Sequence, residues 1–538
     1  MALIYEYNFP PSGGDDTNTI QGAIDFLRGS SEEGTLFIFR FFSLPYWVSN
    51  IRIPSNFALI GNGITIKQLA GKFDLPIFSI EHVWDTRIEG FNFDGNKYQK
   101  DHVTDLSNAI SIVDCENIEL DNLTFKDVVL SCVSISRDEP EECRNIIINN
   151  CISENSGLFI EGYEIAGSFV SVNHSNNISI CNSIVNNCFG IGISLKYANN
   201  VTIDNLVIDT NGQEDGILGK VCSRLTVQNC IIRNMFSFPI HLIGVSEFNI
   251  INSVVEYTEG FEVNPSKNHG IMISYNDDLT SPPNIISSNG QIQNFKGSVL
   301  KPSIDYNDIF IKGAENINVT SCNIAQGITL SRFDPEIGSS NISIQTSSIG
   351  NVNIYSVTKV LIDLSTCEDL LMEDSIAQIS PEEIWLRNST FSNIRMYGSK
   401  NIQIENSTYS NIININSTFY CLNNRKGLDL YYEGYPLEGA VVFTIPSVEP
   451  PDDPGIFFGT MAVDISKVSE QYDNFISELF YIRSQKISID WLLSKIATIF
   501  GPTGVPYYSM FIRNENINIG LGEGFMVRLT LKLGFDKV

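Results

Sequence analysis

The stretch that decides the fold runs from Asn177 to Ile208, "NISICNSIVNNCFGIGISLKYANNVTIDNLVI". It holds one short phrase twice: Asn, Ile/Val, any, Ile/Val/Leu, any, Asn/Ser, any, any, apolar. The copies are "NISICNSIV" from Asn177 and "NVTIDNLVI" from Asn200. Upstream the phrase reads "NIELDNLTF" from Asn117 and "NIIINNCIS" from Asn145. Downstream it reads "RLTVQNCII" from Arg224, "EFNIINSVV" from Glu247 and "NIISSNGQI" from Asn284. Later copies begin at Asn316, Asn341, Glu383 and Asn401. The steps 177 to 200, 200 to 224 and 224 to 247 are 23, 24 and 23 residues, and longer steps read as loops inserted into a fixed coil.

Alternation with period two makes each phrase a strand with every other side chain turned inward. A second phrase precedes the first in most units, as in "GIGIS" at 190, "DGILG" at 215, "PIHLI" at 239 and "HGIMIS" at 269. Stacked coils of this kind bury a column of Ile, Val and Leu and pair each strand with the coils on either side. The recurrent corner Asn suits a ladder of stacked amides. These features predict an all-β solenoid, a parallel β-helix. Cys151, Cys230 and Cys322 share the seventh position of the phrase and read as small stacked core residues.

The ends differ. "DDTNTIQGAIDFL", from Asp15, has Ile20, Ala23, Ile24 and Leu27 on one face and predicts a capping helix. The repeat stops near residue 422, and "SVEPPDDPG", from Ser447, reads as a turn-rich connection. Residues 463–500 have a helical pattern, with Val468, Tyr472, Phe475, Leu479 and Ile482 on one face. "MFIRNENINIG" and "FMVRLTLKLGF" then read as a hairpin. The expected organisation is a cap and first coil over 1–60, a β-helix over 61–422, and a small α+β module over 423–538. That module is rich in large apolar residues, Phe475, Phe480, Trp491 and Phe500 among them, and is expected to drive oligomerisation or docking.

Composition narrows the function. The 538 residues carry 34 Lys+Arg against 62 Asp+Glu, a net charge of −28, which excludes nucleic acid or an anionic membrane as main partner. The richest apolar run, "TLFIFRFFSLPYWV", is broken by Arg40, Ser43 and Pro45, so no membrane span is expected. The start, "MALIYEYNFPPSGG", lacks the pattern of a signal peptide. Eleven cysteines without CxxC or Cys/His spacing point to free thiols and to no metal or redox motif.

The opening helix, then "GTLFIF" at 34, "IRIPSNFALIGNGITI" at 51 and "IEGFNFDGN" at 88, resembles the start of the pectate-lyase-like superfamily. The resemblance implies a right-handed, single-stranded parallel β-helix. Its members include lyases, polygalacturonases, epimerases and viral tailspikes. With its extra C-terminal module the chain is most similar in organisation to viral tailspike or fibre proteins. That likeness implies a homotrimer on a virion surface or tail, assembled in the host cytoplasm with other virion proteins. Its partner would be a host surface polysaccharide or glycoprotein, bound or cleaved along the solenoid. A monomeric polysaccharide lyase or glycoside hydrolase of the same fold, and a purely structural virion part, are the alternatives.

Counting two residues before the first inward Ile of the second phrase puts Asp215, Phe238, His269 and Asn307 in one outward column. Asp215 and His269 would then stand about 10 Å apart, two coils of about 4.8 Å each. His241 alternates outward between Ile240 and Leu242, and Glu214, Lys220, Lys267 and Asp308 lie close in sequence. A carboxylate with histidines suits acid–base cleavage of a glycosidic bond, so Asp215, His241 and His269 are the candidate catalytic residues. Glu214, Lys220, Phe238, Tyr257, Phe261, Tyr275, Asn307 and Asp308 are the candidate glycan-binding residues. Tyr163 and Phe236 belong to the same aromatic group near the long loops. Asp215 and Gly216 match the first Asp and Gly of the polygalacturonase pattern, but Leu218 stands where that pattern has its second Asp. "RDEPEEC" at 137 and "YNDD" at 275 are acidic enough to bind calcium, and no other cofactor is expected.

Overall fold

A computed structural model describes residues 3–30, 35–40, 42, 44–72, 74–97, 107–137, 142–157, 167–209, 214–259, 261, 269–277, 285–298, 300, 306–333, 337–373, 380–415 and 417. It also describes the strands at 419–422, 428–434, 440–444, 456–467, 470–483, 508–513, 516–521 and 525–536. Contacts divide the chain into two units, Met1–Phe310 and Ile311–Val538.

In the first unit the phrases become strands of a parallel ribbon, among them Cys143–Asn149, Ser175–Cys181, Asn199–Asp204, Ser223–Gln228 and Ser246–Ile251. The register preserves the repeat: Ile178 pairs with Val201, Val201 with Leu225, and Leu225 with Phe248. After a tight corner come the three-residue strands Ile184–Asn186, Val207–Asp209, Ile231–Arg233 and Val254–Glu256, the second ribbon. The second phrases make the third, with Ser168–Asn173, Ile191–Lys196, Ile217–Lys220, Ile240–Ile243 and His269–Ser274. This is a parallel β-helix. Its interior is a column of Ile, Val, Leu and Phe, for example Ile180, Ile203, Val227 and Ile250, all fully buried.

The corner Asn has two physical causes. Asn117, Asn145, Asn177 and Asn200 sit at φ of 56–57°, the left-handed region that Asn tolerates better than most residues. Their amides also form the expected ladder: Asn200 Nδ2 donates to Asn177 Oδ1, Asn177 to Asn145 at 3.0 Å, and Asn145 to Asn117 at 2.9 Å. One phrase is shifted from its expected place. Ser246 pairs with Ser288 and Ile250 with Ile292, so this coil begins at Asn289 rather than Asn284. Gly290 permits that register, because a Cβ there would lie 2.0 Å from the Phe248 ring.

The capping helix is Thr17–Ser30, with Ile20, Ile24 and Leu27 buried. Asp15 accepts from Thr17 N at 2.9 Å, and Asp16 ties the helix to Ser12 N and Trp47 N.

In the second unit parallel strands continue to Phe419–Leu422, which pairs with Lys400–Glu405. The helix expected over 463–500 is corrected where the chain is described: Ile456–Lys467 and Glu470–Arg483 form an antiparallel hairpin. Tyr508–Arg513 pairs with Asn516–Leu521, while Phe525–Asp536 pairs with Ile456–Lys467 instead of closing the expected hairpin. Aromatic and β-branched residues favour strands, and partners distant in sequence override a local helical spacing. The described part of the module is therefore β rather than α+β. The connection from Ser447, the stretch 484–500, Tyr163, Lys267 and Asp278 lie outside the described residues.

Candidate functional site

The third ribbon is where the coil is lengthened. The chain enters it through residues 155–167, 210–216 and 257–268, whereas 187–190 suffices elsewhere. Insertions of this kind are where binding and catalytic groups collect on a rigid scaffold. Within Ile240–Ile243, Ile240 and Leu242 are buried, which turns His241 outward. Parallel register then sets Leu218, His241 and Met272 side by side on consecutive coils.

Asp215 and His241 meet directly: His241 Nδ1 lies 2.9 Å from Asp215 Oδ2. Asp215 is not in an open outward column as the spacing suggested; it is only 6% exposed. The chain bends at the end of the 210–216 insertion and turns the carboxylate under the coil edge, where Ser237 Oγ donates at 2.6 Å and Phe238 N at 3.2 Å. Two donors thus meet Oδ1 and the His241 ring meets Oδ2 of one carboxylate. A carboxylate only accepts, so Nδ1 is the donor of this bond, and in the neutral imidazole Nε2 then keeps its lone pair for other partners.

Phe238 packs on this pair, its ring 4.5 Å from His241 and 6.1 Å from His269. His269 also lies 4.5 Å from the ring of Phe310. His241, Phe238, His269 and Phe310 thus form a contiguous aromatic group, with Phe238 mostly covered and the other three half-buried. Phe310 and Ser237 were not singled out from sequence. Phe310 could have been found by extending the alternation through "NDIFIK", where Ile309 faces in and Phe310 out.

The remaining candidates separate into surface and interior. Glu214, Lys220, Phe261 and Asn307 are half-buried. Tyr257, Tyr275 and Asp308 are buried, at 6%, 4% and 0% exposure. Tyr257 packs at a tilt on Phe261 at 5.9 Å and edge-on against Tyr306 at 5.6 Å. Asp308 accepts from Ser298 N at 2.9 Å in a space that exists because residue 297 is Gly, where a Cβ would come within 2.4 Å of its carboxylate. Burial pushes the phenols of Tyr257 and Tyr306 well above the ordinary tyrosine value, and the nearby Asp308 charge adds to the effect.

Among the described residues no three His, Cys, Asp or Glu side chains gather as metal ligands. Arg137 of the first acidic stretch pairs with Glu142 at 3.7 Å. A separate open furrow of 520 Å³ crosses the first ribbon over Leu36 and Ala58. Its Arg87 is already engaged with Glu89, Glu119 and Asp121, at 2.9, 3.8 and 3.6 Å. No described helix is long and apolar enough to cross a membrane.

Comparison with known proteins bears on the fold. Residues 76–255 match a family described as "Right handed beta helix region", which gives the coil its hand. No curated protein matches the sequence. Among solved structures, the tailspike protein of E. coli bacteriophage HK620, as a double mutant, is 12% identical over 97% of this chain and 91% of its own, with a TM-score of 0.45. The N-terminal fragment of bacteriophage Phi29 gene product 12 is 15% identical over 74% and 69%, with a TM-score of 0.46. PfbA, a surface adhesin of Streptococcus pneumoniae, is 14% identical over 89% and 98%, with a TM-score of 0.44. These are likenesses of chain trace at identities too low to carry an activity.

Proposed function

We propose that this protein is a tailspike-type attachment protein that binds a cell-surface glycan along the outward face of its third ribbon. The observation that carries the reading is the contiguous group of His241, Phe238, His269 and Phe310 beside the lengthened turns. Half-buried rings held by a rigid ribbon offer flat apolar faces with polar edges, which suits sugar rings. A glycan array probed with the whole chain tests it, with retention of a defined glycan class expected. Wild-type retention that persists in Phe310→Ala and His269→Ala would remove this face from the reading.

A second reading adds cleavage of the bound glycan, favoured by the His241–Asp215 pair. Asp215 holds the imidazole in one orientation and tautomer, and Nε2 serves as the acid–base group. Release of shorter oligosaccharides by wild type and not by His241→Gln is the expected result. We also propose assembly of three copies through residues 423–538, the arrangement implied by the tailspike resemblance. Light scattering should then give the mass of three 60.0 kDa chains, and a chain ending at 422 should lose that mass.

A further inference from the structure

On the second ribbon the strands Thr124–Lys126, Ile152–Glu154, Ile184–Asn186, Val207–Asp209, Ile231–Arg233 and Val254–Glu256 stack in register. The middle residue of each faces in, so the first and third residues make two outward rows. The first row is Thr124 and then five aliphatic β-branched residues, Ile152 to Val254, a strip about 19 Å long with Ile184 38% exposed. The second row carries both signs of charge, in the order Lys126, Glu154, Asn186, Asp209, Arg233 and Glu256. Lys126 and Glu154 are exposed, and Arg233 pairs along the row with Glu256 at 3.0 Å. Two cations stand here against three carboxylates, in a chain whose net charge is −28. Two copies therefore meet far less repulsion over this face than their net charge implies.

We infer that a second copy of this chain docks on the second ribbon, face to face and antiparallel. The two copies are related by a two-fold axis that runs along the strands, between the coils of Asn186 and Asp209. Turning the ribbon over about that axis reverses the order of the coils and sets each row on itself. Lys126 then meets the partner's Glu256, Glu154 the partner's Arg233, and Asn186 the partner's Asp209, so each charge faces an opposite charge or an amide. The same operation lays Ile184 on the partner's Val207 and Ile152 on the partner's Ile231, which takes the aliphatic strip out of water. A parallel copy at the same height would instead set each charge of the row against itself. The pairing is independent of the glycan reading and of assembly through 423–538, since it doubles whatever unit that module builds.

The test weighs the full-length chain by light scattering as it is concentrated. We expect the mass to double, from three chains to six where residues 423–538 hold three copies, or from one to two where they do not. Ile184→Lys places a charge at the centre of the face and should weaken the doubling by about tenfold or more. Lys126→Glu sets carboxylate against carboxylate at both ends of the face and should weaken it about tenfold. Lys126→Glu with Glu256→Lys should restore it. Within one chain these two residues stand five coils, about 24 Å, apart, so the restoration can pass only between copies. All three substitutions change outward side chains, and an unchanged circular dichroism spectrum would confirm that each variant folds. Doubling untouched by Ile184→Lys, or a double variant no better than Lys126→Glu alone, would overturn the inference. A mass of three chains at every concentration would overturn it too and leave the three-copy proposal standing.

Discussion

Asp215→Asn is the sharpest perturbation of the site. The wild-type carboxylate receives Ser237 Oγ and Phe238 N on Oδ1 and His241 Nδ1 on Oδ2. The variant amide can keep its oxygen on Ser237 and Phe238, and its NH₂ then faces His241. Two donors cannot face each other, so Nδ1 must give up its proton and Nε2 take one. The fold should lose only the difference between a charge-assisted and a neutral hydrogen bond, about 1 kcal/mol. Asp215→Ala should be worse by about 2–5 kcal/mol, because it strands the buried Ser237 hydroxyl and Phe238 amide. The chain has only five histidines, so imidazole nitrogen NMR with ¹⁵N-histidine labelling can follow His241, assigned with His241→Gln. At pH of about 8, above the ordinary imidazole value, wild type should show protonated Nδ1 and bare Nε2, and Asp215→Asn the reverse. An unchanged tautomer, with denaturant stability equal to wild type, would refute the role assigned to Asp215.

Other predictions follow from the coil itself. Asn177→Ala removes one ladder rung that both donates and accepts and leaves Ala at φ 56°, so it should cost about 2 kcal/mol in denaturant unfolding. Asn177→Gly should recover the backbone part, and equal losses would show that the ladder alone matters. Gly290→Ala drives a Cβ to 2.0 Å from the Phe248 ring and should lower the thermal midpoint, while Gly22→Ala, with open space around it, should not. Burial pushes the Cys115, Cys132, Cys151 and Cys230 thiols up to about 12, whereas the unfolded thiol titrates near about 8.5. A raised folded value means that stability is full below the unfolded value and is lost as pH rises toward the folded one. Each thiol should therefore remove about 1.4 kcal/mol per pH unit above about 8.5, and Cys151→Ala with Cys230→Ala should flatten that slope. Stability unchanged between pH of about 8 and 10 would contradict the protonated thiol column.

Much of the coil could be read in the sequence because it is local. The Asn177 and Asn200 phrases carry both the strand alternation and the left-handed corner, and His241 faces out because Ile240 and Leu242 face in. The rest depends on where the chain goes between strands. Asp215 stands two residues before Ile217, but the bend after the 210–216 insertion buries it, and no periodicity reports a bend. The coil beginning at Asn289 was read from Asn284, because "NIISS" copies the phrase's apolar spacing as well as the true register does. Between Ile456 and Arg483 the strands take partners far along the chain, which a helical spacing of apolar residues cannot reveal. Phe310 was legible in the alternation through "NDIFIK", where Ile309 faces in, but only the stacking of coils brings its ring beside His269.

The most direct test of the account is a crystal structure of the protein with the oligosaccharide that the array selects. The account predicts sugar rings against Phe310 and His269, with His241 Nε2 toward a glycosidic oxygen. A glycan seated on another face, with the third ribbon bare, would contradict it.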